Sequence, residues 1–115
     1  MTNAKTPEAE KAVRKVVNRR IREGSMRRSE ANRLVRDGLP IILSGFAEAR
    51  IKGKPEAAIT ADLEAALAEA KQRQATARTA TRRRMALLDV STAEFAIAAW
   101  EGVRRDLAAH LASNS

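Results

Sequence analysis

The chain has 115 residues, enough for one domain but hardly two, with 44% hydrophobic residues, 3 prolines, 5 glycines and no cysteine. That composition excludes disulfides, thiolate zinc sites and cysteine nucleophiles, and leaves too few turn residues for a strand-and-turn architecture. The net charge of +8, carried by 16 Arg and 6 Lys against 14 acids, favours a polyanionic partner.

The N-terminal "MTNAKTPEAEK" has no apolar h-region, so no secretory signal is expected. A first helix is predicted over residues 7–23. Thr6 is placed to cap it, Pro7 suits its first position, and Glu8 and Glu10 favour the positive end of its dipole. Ala9, Val13, Val16, Val17 and Ile21 recur at helical spacing as its buried face, and Gly24 ends it. A second helix starts at Ser25 or Ser29 and runs to about Asp37, with Ala31, Leu34 and Val35 inward. Gly38 and Pro40 then form a stop signal.

The third helix, over 41–52, is the most hydrophobic and is expected at the centre of the core. "LPIILSGFA" is too short to span a bilayer, which needs about 20 residues. Gly53 and Pro55 end it. A long fourth helix is predicted over 56–88. At ~1.5 Å per residue it would measure about 50 Å, so it must protrude, pack on a partner, or break near Thr76–Thr81. Its seam passes through Ala70, Gln74, Ala77, Thr81 and Leu88. "STAE" at 91–94 matches the S-x-x-E capping box and should open a last helix over 92–112. The expected fold is therefore all-α: one helical domain over 1–115, a bundle of about five helices with a long basic fourth helix and short frayed termini.

Charge is unevenly distributed. Residues 11–36 hold ten basic and two acidic groups, and residues 71–84 hold six basic groups and none acidic. The three remaining segments are mildly acidic. Such clustering is the electrostatic footprint of a nucleic-acid binder. Enzymatic chemistry finds little support. His110 is the only histidine, so neither a metal cluster nor a catalytic constellation assembles around it, and no phosphate-loop or dinucleotide motif occurs. No cofactor is expected.

Base stacking on aromatic rings requires those rings to be exposed, yet Phe46, Phe95 and Trp100 all fall on apolar stripes. Backbone contact by arginine remains, which confers affinity with little sequence information. The candidate phosphate contacts are Arg19, Arg20, Arg22, Arg27 and Arg28 in the first cluster, and Arg73, Arg78, Arg82, Arg83 and Arg84 in the second. Arg104 and Arg105 form a third pair, offset by Glu101 and Asp106. RNA or a single DNA strand is the favoured partner, with other protein subunits or further copies of the chain beside it, no membrane, and a cytoplasmic setting. Two alternatives stand beside this reading. One is a dimeric helix-turn-helix regulator reading duplex DNA with Arg27, Arg28, Asn32, Arg33 and Arg36 of the second helix. The other is a module that docks an acidic protein.

"VRKVVNRRIREGSMRR" and "RQATARTATRRR" are two arginine-rich segments on helices of a small, basic, aromatic-poor chain. In that architecture and charge the chain resembles the helical small subunit of CRISPR–Cas effector complexes. The resemblance implies several copies per assembly, no catalysis, and contacts mainly to phosphates.

Overall fold

The computed structural model describes residues 6–113, and every regular element among them is helical. Helix α1 spans Pro7–Arg22, α2 Arg28–Arg33, α3 Leu39–Ile51, α4 Glu56–Thr76 and α5 Ala80–Ser113. A π-helical turn, Leu34–Gly38, joins α2 to α3 without interruption, so the five α segments make four rods. Of the "ASNS" tail expected to fray, Ala112 and Ser113 are helical within α5, while residues 1–5 and 114–115 lie outside the described residues.

Two of the three glycine stops act as expected. Gly24 has φ 77° and Gly53 φ 86°, the left-handed conformation that reverses a chain leaving a helix. At each, the following amide reaches back into the last turn: Ser25 N to Arg20 O, and Lys54 N to Ala49 O, both at 3.0 Å. Gly38 is different. Its φ is −80° and ψ −40°, so the helix runs through it. The Leu39 amide bonds to Leu34 O, five residues back. Pro40 lacks an amide and its ring would crowd the carbonyl four residues earlier; the wider π turn just before it relieves that crowding and the rod continues.

The helix at the centre is α5, not α3. Ala86, Val90, Phe95, Ala99, Trp100 and Gly102 are all buried along it. On α3 only Leu39 and Phe46 are buried, while Ile41 and Ile51 are 72% and 85% exposed. A helix that is apolar all round can bury only the stripe that meets a neighbour, and this small bundle has no layer outside α3. Val13 and Val17 of α1, Phe46 of α3 and Ile59 of α4 converge on Phe95, Ala99 and Trp100. The Phe46 and Trp100 rings lie 5.0 Å apart at 54°, and Trp100 Nε1 donates to Thr60 Oγ1 at 2.9 Å.

α1 and α4 both lie antiparallel to α5. Arg105 meets Glu8 at one end of the α1 contact and Glu94 meets Arg20 towards the other. Arg104 meets Glu56, and Arg73 meets Asp89, along the α4 contact. The α1–α5 crossing is very close: a Cβ on Gly102 would stand 2.3 Å from Ala9 Cα. There the Asp106 carboxylate accepts from the Glu8 and Ala9 amides at 3.1 and 3.2 Å and so caps α1 from another helix. Thr6, the expected cap, makes no side-chain capping bond.

The long fourth helix breaks. α4 ends at Thr76, residues 77–79 turn the chain, and the basic segment after them belongs to α5. The expected capping box is overturned as well. Ser91 lies in the interior of α5 and is buried, because the helix already starts at Ala80. The true cap is Thr79, whose Oγ1 accepts from the Arg82 amide at 3.1 Å. Beyond Glu94, α5 extends back through about four turns, roughly 21 Å at ~1.5 Å per residue, to Ala80. Small residues, Ala70 and Ala86, with Val90, pack this hairpin. The long dimension of 53 Å is close to the length of α5, and the radius of gyration of 15.3 Å exceeds the ~13 Å of a compact chain this size.

Candidate nucleic-acid interface

The tip of the α4–α5 hairpin gathers most of the second arginine cluster. Thr76 Oγ1 donates to the Gln72 and Arg73 carbonyls at 3.1 and 3.3 Å, closing α4. Ala77 is extended, with φ −67° and ψ 128°, and swings the chain outward. Thr79 then restarts the helix, its carbonyl accepting from the Arg83 amide at 2.9 Å. Arg78, Arg82, Arg83 and Arg84 thus fall within the turn and the first turns of α5, all exposed. Among the described residues none of the four forms an ion pair. Arg83 Nη2 donates to the Arg78 carbonyl at 3.4 Å.

This placement is electrostatically costly for the protein alone. A helix N-terminus carries about half a positive charge, and acids are the side chains that suit it. The first turn of α5 has none. Four cations beside that dipole end, with only partial solvent screening, create a concentrated positive potential. Arg73 stands apart from them: its Nη2 is 3.6 Å from Asp89 Oδ2 across the hairpin.

The first cluster divides. Arg22, Arg27 and Arg28 are exposed around the α1–α2 turn and form no ion pair among the described residues. Arg19 is half-exposed with its Nη2 3.5 Å from Glu94 Oε1. Arg20 leaves the expected contact surface: its side chain is 12% exposed and its Nη2 is hydrogen-bonded to the same Glu94 oxygen, with Glu23 at 3.8 Å. It ties α1 to α5. Sequence reasoning missed this because Glu94 was assigned to a helix cap, and a carboxylate already satisfied locally is not sought as a long-range partner. Arg104 and Arg105 are likewise engaged, at 3.6 Å from Glu56 and 3.5 Å from Glu8. Asp106 reads in the sequence only as a charge offset; the sole signal of its capping role is Gly102 one turn earlier on the same face.

The proposed reader helix is not a separate rod but the first part of one that continues into α3. α2 has six residues before the π turn, with Arg27, Arg28, Asn32 and Arg33 exposed around it. Arg36 bonds Asp37 at 3.0 and 3.2 Å, and this hydrogen bonding holds the Asp37 carboxyl below its ordinary range. Among the described residues no group of three or more His, Cys, Asp or Glu is gathered where a metal could sit, and no helix is long and apolar enough to cross a membrane. In comparisons with known proteins, no family model, no curated protein and no solved structure matches the chain.

Proposed function

We infer that the chain is a non-catalytic binder of nucleic-acid backbone, working as a small subunit of a larger assembly, with the α4–α5 hairpin tip as its main contact. One observation carries the reading: Arg78, Arg82, Arg83 and Arg84 are exposed, form no ion pair among the described residues and crowd the positive end of α5. Their mutual repulsion is relieved by an external polyanion, and arginine forks suit phosphate oxygens. Arg22, Arg27 and Arg28 extend the basic surface at the α1–α2 turn. Exposed Ile41 and Ile51 on α3 are where protein neighbours would cover apolar surface. A helical small subunit of a CRISPR–Cas effector is the narrower form of this reading, supported by size, charge and all-helical architecture.

Salt titration of binding tests it. With about six phosphate contacts, the log–log slope for a single strand is expected near −4, from roughly −0.7 per contact. Affinity should vary little with sequence. Replacing Arg82, Arg83 and Arg84 together with alanine should weaken binding while the protein stays folded by circular dichroism. A preference of about a thousandfold for one duplex would instead favour the helix-turn-helix regulator. Absence of binding to any nucleic acid at moderate salt would favour an acidic protein as the partner.

A further inference from the structure

We propose that the hairpin tip holds an unpaired nucleobase in a pocket beside its arginines, so that the chain selects single strands over duplexes. This rests on the phosphate-binding reading and goes beyond it by giving an unpaired base a site of its own. The pocket, of about 350 Å³, lies between the end of α4 and the first turns of α5. Arg73, Thr76, Arg82, Met85, Ala86 and Asp89 line it.

Three features of the pocket point to a base. Met85 is 61% exposed in the most basic part of the molecule, and Leu88, one turn on, is 45% exposed. Phosphate contact has no use for apolar surface. A duplex offers its phosphates outward and keeps its base faces stacked inside, whereas an unpaired strand presents both. The second feature is Arg82 on the pocket wall, with Arg73 opposite it in its pair with Asp89. Guanidinium planes stack on base faces as aromatic rings do, so a chain whose aromatic rings are buried can still hold a base.

The third is Asp89. It pairs with Arg73 at 3.6 Å, longer than a hydrogen bond, so its carboxylate keeps acceptor capacity for a donating group. The amine edge of an unpaired adenine, cytosine or guanine is such a group. Arg82, Met85, Ala86 and Asp89 follow i, i+3, i+4, i+7 spacing, which aligns them on one face of α5 over roughly 10 Å. Arg78, Arg83 and Arg84, near the same end of the helix, are left for the adjoining phosphates.

The test compares the full chain's affinity, by fluorescence anisotropy at one salt concentration, for three ligands. These are an oligoadenylate of about ten nucleotides, its duplex, and an abasic strand of equal length. The oligoadenylate should bind about tenfold more tightly than the abasic strand, the scale of one well-stacked base. Met85→Lys adds a cation at an exposed position. If phosphates alone were bound, it would strengthen both single strands equally; with a base in the pocket, it narrows the gap between them. A 2-aminopurine in the strand should change its fluorescence on binding, and less so with Met85→Lys. Equal salt-dependent affinity for the oligoadenylate and abasic strands overturns the base pocket and leaves the phosphate reading standing. Failure of all three to bind overturns both.

Discussion

Gly102 shows how one missing side chain positions two helices. The α1 backbone passes so near α5 that a methyl group at 102 would overlap Ala9 Cα and N and Glu8 O. Backbone cannot rotate away as a side chain can. Gly102→Ala should therefore force α1 off α5 and disturb the Asp106 cap with it, costing about 2 kcal/mol or more in urea unfolding. Gly45→Ala is the matched control. Gly45 lies in α3 with nothing within 4 Å of an added Cβ, so alanine there should stabilise by up to ~1 kcal/mol through helix propensity alone. Composition marks both simply as glycines in helices. The distinction arises from what lies opposite, and sequence does not carry that. Arg20 is a similar case. Among neighbouring arginines on one helix, its engagement with Glu94, 74 residues away, follows only from how α1 lies on α5.

Among the helices, the competition between Thr79 and Ser91 as the start of α5 is instructive. Both have local chemistry for an N-cap, and Ser91 has the better motif, with Glu94 three residues on. Thr79 is used because the chain is already helical when it reaches Ser91. Helix propagation adds a hydrogen bond per residue, and nothing in residues 80–90 stops it. Ser91 Oγ is left buried without a partner, and Glu94 is released for Arg20. The two sites should thus respond oppositely in chemical denaturation. Thr79→Ala should cost about 1 kcal/mol as a lost cap. Ser91→Ala should be neutral or stabilising by up to ~1 kcal/mol, since it removes an unsatisfied hydroxyl and improves helix propensity. A destabilisation of that size at Ser91 would restore the capping box. The break expected near Thr76–Thr81 does occur, and threonine hydroxyls close both sides of it.

For the molecule as a whole, the basic hairpin reaches beyond the α1–α5 contact and has α4 as its packing partner. Its arginines raise self-repulsion without joining the core. The thermal midpoint should accordingly rise as salt increases from about 0.05 to about 0.5 M, where the screening length falls to a few ångströms. Alanine at Arg82, Arg83 and Arg84 should remove much of that salt dependence and leave the midpoint equal or higher. A midpoint lowered by the substitutions would mean that these arginines hold the fold together, and their assignment as an anion surface would fall. The same elongation sets the hairpin cluster apart from Glu56, Glu64 and Glu101, which border a groove between α4 and α5, whereas Arg19 and Arg22 of the first cluster share a groove with Glu101.

Local sequence by itself determined the helical class, the buried face of α1 and that of α5 around Phe95, Ala99 and Trp100, though not at Leu111, which is 70% exposed, together with the stops at Gly24 and Gly53 and the two basic segments. These depend on periodicity, backbone preference and charge, all of which act over a few residues. Tertiary structure decided which helix is central and which arginines remain exposed. Those outcomes depend on partners far apart in the chain: Glu94 for Arg20, Asp106 for the start of α1, and Gly102 for the approach of Ala9. A side chain's role there is set by what the fold brings within 4 Å of it, and neighbours in sequence carry no record of that contact.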